Sequence, residues 1–357
     1  MPASKIRPHV SLLTYPSAEF IAIPYHIKNR FTDITMSLNK ELPMSTLTRA
    51  KSYRISPVKP YRISPGMKYL LMSVPFIIFT FMFAYVPLFG WIIAFSNYRI
   101  GMRITDIELI GLFHFGKFFD QSSEIIRVLR NTLVMSGLNI LFSPLAVILA
   151  IMLNEVRNSK FKRLVQSTTI LPHFISWIVV FGIAFSFFSM NGLINTLFGQ
   201  LGWTQSPAGL LGDRDNVWFF QLGLNTWKNV GFSSIIYLAA IAGIDSQLYE
   251  AARIDGANKL QCIRHVTVPG VIPTFFVLLI LAISNILNTG FDQYFVFFNP
   301  LVAYRIEVLD YFVYKIAILV GDMPFSIAVG MSRSLISIVL LFGANYLSKF
   351  VRGESIF

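Results

Sequence analysis

Lys228 and Arg333 are the only charged side chains within six long apolar stretches of this sequence, and no Asp or Glu falls inside them. An ionisable group in hydrocarbon is expensive, so it is kept where it binds a solute, pairs or relays a proton. Two cations without a carboxylate argue against the coupling chemistry of proton- or sodium-driven carriers. What remains open is contact with a polar solute, or satisfaction of backbone carbonyls and polar neighbours at a helix interface. Asn139, Asn225, Trp227, Asn285 and Asn288 lie in the same stretches. With Lys228 and Arg333 they are the candidates for a substrate path.

Little else in the sequence can do chemistry. The five histidines, at positions 9, 26, 114, 173 and 265, show no metal-ligand spacing and join no Ser and acid in a recognisable catalytic set. His173, directly after Pro172, is read as a packing residue in preference to a gating one. Cys262 is the single cysteine, so an intrachain disulfide and a four-thiolate metal site are both excluded. Gly111-Leu112-Phe113-His114-Phe115-Gly116-Lys117-Phe118 imitates the start of a phosphate-binding loop, but Phe118 stands where the magnesium-holding Ser or Thr belongs. The chain is expected to carry no catalytic residue and to bind no metal, nucleotide or other cofactor.

The elements that position these residues follow from composition. Apolar residues make up 54% of the 357 and charged residues only 13%, too few charges to cover a water-soluble body of that size. The apolar residues gather at about 69–95, 132–153, 165–189, 217–242, 268–289 and 325–347, each near the ~20 residues that cross hydrocarbon as helix. The predicted class is an all-α integral membrane protein of about six transmembrane helices, with the membrane body at 68–350. Pro75, Pro87, Pro144 and Pro172 free backbone groups that lipid cannot satisfy, so those turns are expected to kink and to face protein or a water-filled route.

Residues 1–67 are polar, basic and Pro-rich, with no apolar run long enough for a signal sequence. They contain Tyr53-Arg54-Ile55-Ser56-Pro57, repeated as Tyr61-Arg62-Ile63-Ser64-Pro65, and read as a flexible linker or a basic patch on anionic lipid. The net charge of +12 does not point to nucleic acid, because the basic residues sit between apolar runs. With the 1–67 tail inside, the inner segments (the tail with Lys68, 154–164, 243–267 and the C-terminus, including a 351–357 tail) hold 20 Lys and Arg, against eight outside. Basic residues are retained on the cytoplasmic side, so both termini are placed there.

One inner loop, 243–267, stands apart. It reads Glu250-Ala251-Ala252-Arg253-Ile254-Asp255-Gly256-Ala257, then Val266-Thr267-Val268-Pro269. Glu-Ala-Ala favours a helix, Gly256 permits a chain reversal, and Pro269 is expected to end the segment before the next span. A short helix, a turn and a second helix result, forming a compact knob that can pass a rigid-body displacement to the spans on either side.

This segment resembles the E-A-A loop of binding-protein-dependent ABC transport permeases, whose pattern is E-A-A, three residues, G, nine residues, I-x-L-P. Glu250, Ala251, Ala252, Gly256 and Pro269 match in register, while Val266 and Val268 replace the Ile and Leu. Asp255 and Ala257 around the glycine resemble the sugar-importing branch. Asn154-Glu155-Val156-Arg157, Leu171-Pro172-His173-Phe174-Ile175-Ser176-Trp177 and Ile235-Ile236-Tyr237-Leu238-Ala239-Ala240-Ile241 are similar to its polysaccharide-type members. Ser246 departs from the proline usual before the helix.

The resemblance implies the type I importer (MetI-like, maltose-permease-like) fold with a cytoplasmic coupling loop. It also implies a second homologous permease subunit, two ATP-binding subunits that carry ATP and magnesium, an extracytoplasmic solute-binding protein and a bacterial inner-membrane location. Glu250, Ala251, Ala252, Asp255, Gly256, Ala257 and Pro269 would then couple the bundle to the ATPase. The cargo would be an oligosaccharide or polysaccharide. Arg99, Arg103, Lys117, Arg127 and Arg130 make the first outer loop basic, which fits either an acidic chain such as a uronate or an acidic binding protein. An ion-coupled secondary transporter and a membrane-embedded enzyme are the rivals, disfavoured by the missing carboxylates and catalytic set.

Overall fold

The computed structural model describes residues 64–202 and 209–352. The sequence expectations for the N-terminal tail before Ser64 and for the chain after Arg352 lie outside these residues. The chain divides into two units, Met1–Ser73 and Val74–Phe357. Of the first, the described part is Ser64 and the opening turns of a helix, where the Ser64 hydroxyl accepts from the Met67 N–H at 3.3 Å.

Among the described residues the regular structure is helical, with one isolated bridge between Ser96 and Leu109. Five helices are long and apolar enough to cross a membrane: Gly66–Phe95, Ser122–Glu155, Trp177–Gln200, Lys259–Ser284 and Met323–Tyr346. Val217–Ala242 meets the same test only together with Ser246–Ile254, from which a 69° bend separates it. We number the helices α1 (Gly66–Phe95), α2 (Phe113–Asp120), α3 (Ser122–Phe142), α4 (Pro144–Glu155), α5 (Ser159–Ile170), α6 (Trp177–Phe188) and α7 (Leu193–Gln200). There follow α8 (Val217–Ala242), α9 (Ser246–Ile254), α10 (Lys259–Ser284), α11 (Asp292–Phe297), α12 (Leu309–Tyr314) and α13 (Met323–Arg352).

The prolines shape the spans. α3 and α4 together make one candidate span, interrupted at Ser143 before Pro144, where the Ser143 hydroxyl donates to the Ile140 carbonyl at 2.8 Å. In α1 the helix widens to a π-turn at Phe81–Tyr85 and tightens to a 3₁₀ stretch over Val86–Phe95, around Pro87. The stretch at 165–189 is not one helix: α5 gives way to a 3₁₀ turn at Leu171–Phe174, and α6 starts afresh with Ser176 as its cap. Pro172 cannot donate its i→i−4 bond, which opens the chain there. It is also the only one of the four prolines that the chain itself buries.

Three apolar clusters hold the second unit together. One joins Met135, Val180, Ala184, Val217, Tyr294 and Phe297. A second gathers Ile125, Val128, Phe312 and Phe325, and a third packs Ala146 and Ala150 against Tyr237, Ile241 and Val271. α5 lies on α8 at backbone contact: a Cβ on Gly231 would sit 2.1 Å from the Thr169 carbonyl oxygen. That approach requires glycine.

Candidate functional site

The 243–267 segment folds as a knob whose shape is set by its caps. Asp245, in extended backbone, accepts from the Gln247 N–H at 2.9 Å and starts α9. α9 carries Glu250, Ala251 and Ala252 and stops at Gly256, which has a φ of +79°. The Gly256 N–H reaches the Arg253 carbonyl at 3.0 Å, and the Ala257 N–H reaches that of Ala252 at 2.9 Å. These two bonds make a Schellman motif, whose left-handed position favours glycine. The next helix begins at once, because Asn258 and Gln261 cap each other's backbone at 3.0 and 2.7 Å. That Asn-x-x-Gln box was readable in the sequence and was not used.

Two side-chain contacts brace the knob against the bundle. The Tyr249 hydroxyl meets the Thr267 hydroxyl at 2.9 Å, and the Lys259 ammonium meets the Glu155 carboxylate at the end of α4 at 2.8 Å. Pro269 does not end the segment, contrary to the sequence expectation. The helix passes through it by widening to a π-turn at Ile263–Thr267, in which the Val268 N–H bonds the Ile263 carbonyl. The wider turn accommodates the ring without a break. Glu250, Ala251, Asp255 and Gly256 stay exposed, and so do the apolar Leu248, Ile254 (86%) and Leu260 (73%). Tyr249, Glu250 and Arg253 line a cleft of about 680 Å³ with Glu155 and Arg157.

The seven substrate-path candidates do not converge. Asn225 donates to Asn139 across α8 and α3 at 2.9 Å, and the track continues through Asn229, which donates to Asn225. His173 bonds Asn229 at 3.0 Å and stacks on Phe232 with ring centres 4.0 Å apart. Asn229, one helical turn from Asn225, was missed although the i, i+4 spacing was visible. Asn139, Ser143, Asn225, Asn229 and Ser233 open on a cleft of about 210 Å³.

Lys228 is committed elsewhere. Its ammonium is buried and donates to the carbonyls of Pro172, His173 and Ile175 at 3.1, 2.7 and 2.6 Å, with the Trp177 ring at 5.5 Å. All three of its donors are used, and they satisfy the carbonyls exposed where α5 breaks from α6. Trp227 is half-exposed beside an apolar cleft lined by Phe187, Phe188, Phe219 and Phe220. Asn285 bonds the Leu281 carbonyl at 2.9 Å and ends α10, and Asn288 is exposed in the turn that follows. Arg333 pairs with Asp310, whose second oxygen accepts from the Gly290 N–H at 3.0 Å.

Four acids outside the apolar stretches escaped the sequence reading and organise the other end of the bundle. Glu307 is 2% exposed and lies 2.6 Å from Arg127 of α3 and 2.5 Å from Lys315. Glu124 adds a second carboxylate, 2.9 Å from Lys315 and 3.4 Å from Arg127. Asp322 holds Lys117 of α2 at 2.5 Å, which explains the lysine of the phosphate-loop imitation as a structural one. Asp310 holds Arg333 on α13. Burial alone would lower the Lys315 pKa, but hydrogen bonds to Glu307 and Glu124 override it and raise the pKa above its ordinary 10.5. Among the described residues no cluster of His, Cys, Asp or Glu is placed to hold a metal.

This geometry has known counterparts. Residues 142–353 match the family described as binding-protein-dependent transport system inner membrane component. Protein LplB of Bacillus subtilis is 38% identical over 291 residues, 80% of this chain and 90% of its own. The polygalacturonan/rhamnogalacturonan transport system permease protein YteP of the same organism is 38% identical over 295 residues, 81% and 90% of the two chains. A chain of a bacterial ABC transporter involved in the import of the acidic polysaccharide alginate superposes with a TM-score of 0.72 at 32% identity, covering 80% of this chain and 97% of that one. A second structure of a bacterial alginate ABC transporter, in complex with an alginate pentasaccharide-bound periplasmic protein, gives 0.73 at 32% identity over 82% and 98%. On these matches the chain belongs to the binding-protein-dependent inner membrane components of ABC transporters, a multi-pass transport subunit and not an enzyme.

Proposed function

We propose that this chain is a permease subunit of an ATP-driven, binding-protein-dependent importer of oligosaccharides or polysaccharides. The observation that carries the reading is the braced knob. Its apolar residues Leu248, Ile254 and Leu260 point outward, beside a cleft rimmed by Glu250 and Arg253. Exposed apolar side chains of this size within a polar surround mark a docking surface. A separate pair of ATP-binding subunits, with ATP and magnesium, would seat here on the cytoplasmic side, both termini of the chain lying on that same side. Closure of that pair moves the knob, and Tyr249–Thr267 and Lys259–Glu155 hand the displacement to α10 and α4. Alternating access follows from rocking of the bundle with a second, homologous permease.

Two relatives favour an acidic cargo, since their names specify polygalacturonan/rhamnogalacturonan and alginate. The Asn139–Asn225–Asn229 track, rich in amide donors and acceptors, suits sugar hydroxyls passing the middle of the bundle. An ion-coupled mechanism is disfavoured because Glu307, Asp310 and Asp322 are each held by a cation.

The test is uptake in proteoliposomes holding the full complex, its binding protein and a labelled oligogalacturonide. Glu250→Lys and Gly256→Val are expected to leave the chain in the membrane and abolish ATP-coupled uptake. Coupled uptake at wild-type rate by both variants, or uptake that follows an ion gradient without ATP, overturns the proposal.

A further inference from the structure

We infer that the start of α5 is a binding site for an anionic phospholipid headgroup. Arg157, Lys160, Lys162 and Arg163 fall within seven residues of one another at this end of the helix. Arg157, Lys160 and Arg163 are exposed, and none of the four has a carboxylate partner among the described residues. Their nearest acid in sequence, Glu155, is taken by Lys259. The contrast with the opposite end is sharp, since there Lys117, Arg127, Lys315 and Arg333 all sit in ion pairs. Four cations without carboxylate partners within seven residues favour an anion from outside the chain.

An apolar stripe identifies which anion. Phe161 and Leu164, exposed by 54 and 63%, lie on one side of α5, and Leu171 and Phe174, exposed by 63 and 73%, follow in the 3₁₀ turn at its end. Lys160 and Arg163 share that side, because residues three and four apart on a helix are neighbours. From Phe161 to its end at Ile170 the helix rises about 14 Å, roughly half of a hydrocarbon core of about 30 Å. Apolar side chains at both ends of that rise fit the acyl depth of one leaflet, with the cations at its headgroup end. A soluble partner docked on the cations leaves that stripe uncovered, whereas a phospholipid covers both. Arg157 also lines the cleft beside the knob, so the test is confined to Lys160 and Arg163, which do not, and it stands whether or not the importer reading does.

The experiment reads lipid retention, without ATP or cargo. The full chain in its complex is exchanged into nanodiscs of phosphatidylcholine with phosphatidylglycerol, delipidated stepwise, and its retained lipid counted by native mass spectrometry. Wild type is expected to retain phosphatidylglycerol over phosphatidylcholine. A juxtamembrane charge contributes about fivefold to such binding, so Lys160→Gln with Arg163→Gln is expected to lower the enrichment about twentyfold or more. Arg99→Gln with Arg103→Gln removes equal charge elsewhere and leaves it unchanged, and soluble glycerol phosphate does not displace the lipid. Should the double variant fold poorly, Lys160→Arg with Arg163→Lys keeps the charges and is expected to keep the enrichment. Equal retention by wild type and the Gln variant overturns the site. Loss of the ATP-binding subunits with lipid retention unchanged assigns the cations to protein and overturns it too.

Discussion

The two ends of the bundle handle charge in opposite ways. At the 303–322 end, Glu307, Glu124, Arg127 and Lys315 close a network around a carboxylate that is 2% exposed, and Asp310 and Asp322 each hold a further cation. At the knob end, Glu250, Arg253 and Asp255 are exposed, and the local shape is held by backbone caps and two braces. One end spends its charges on itself and the other keeps them for a partner. Charge at the first end is therefore a matter of stability, and at the second a matter of coupling.

The largest test of that division is Glu307→Gln. Removing the buried member of the network leaves Arg127 and Lys315 to share the single, partly exposed Glu124, a loss of about 3 kcal/mol, the low end for breaking a buried pair. Thermal unfolding of the chain in a fixed detergent should show it as a large drop in midpoint. Glu250→Gln in the same assay is expected to stay within about 0.5 kcal/mol of wild type, as for most exposed substitutions. Similar midpoints for the two variants break the contrast.

The sequence carried the knob well and the opposite end badly, for a physical reason. The knob is local: Glu250, Gly256 and the short spacing between them dictate a helix, a left-handed stop and a restart within one loop. The crossings were legible for the same reason, since about 20 consecutive apolar residues announce a span without reference to any neighbour. The ion network is non-local. Arg127 meets Glu307 across 180 residues, and Lys117 meets Asp322 across 205, so no spacing in the sequence brings them together. The break at 171–176 was half legible: Pro172 announced it, but the use of Lys228 to cap its carbonyls appears only when α8 lies on α5.

A smaller effect is expected at the braces. Tyr249→Phe and Thr267→Val each remove one partner of a hydroxyl pair, and a double-mutant cycle should give a coupling of about 0.5–1.5 kcal/mol in unfolding. If the knob is a lever, ATP-coupled uptake falls in both variants while affinity for the binding protein holds. A coupling near zero would mean that the lever is held by Lys259–Glu155 and the caps alone.

The smallest and most specific effect is alkaline. Lys315 has its pKa raised above 10.5 because Glu307 and Glu124 hold its proton more strongly than burial repels it. A folded-state pKa above the unfolded one means that the native chain binds the proton more tightly. Stability from this source is complete below pH 10.5 and is lost as pH rises through the folded value. Unfolding midpoints of wild type should therefore fall more steeply above that pH than those of Lys315→Met, which lacks the group. The difference between the two curves isolates Lys315 from the other lysines and tyrosines that titrate in the same range. Parallel curves would show that the ammonium gains nothing from its two carboxylates, and would leave Arg127 as the partner that holds Glu307 in place.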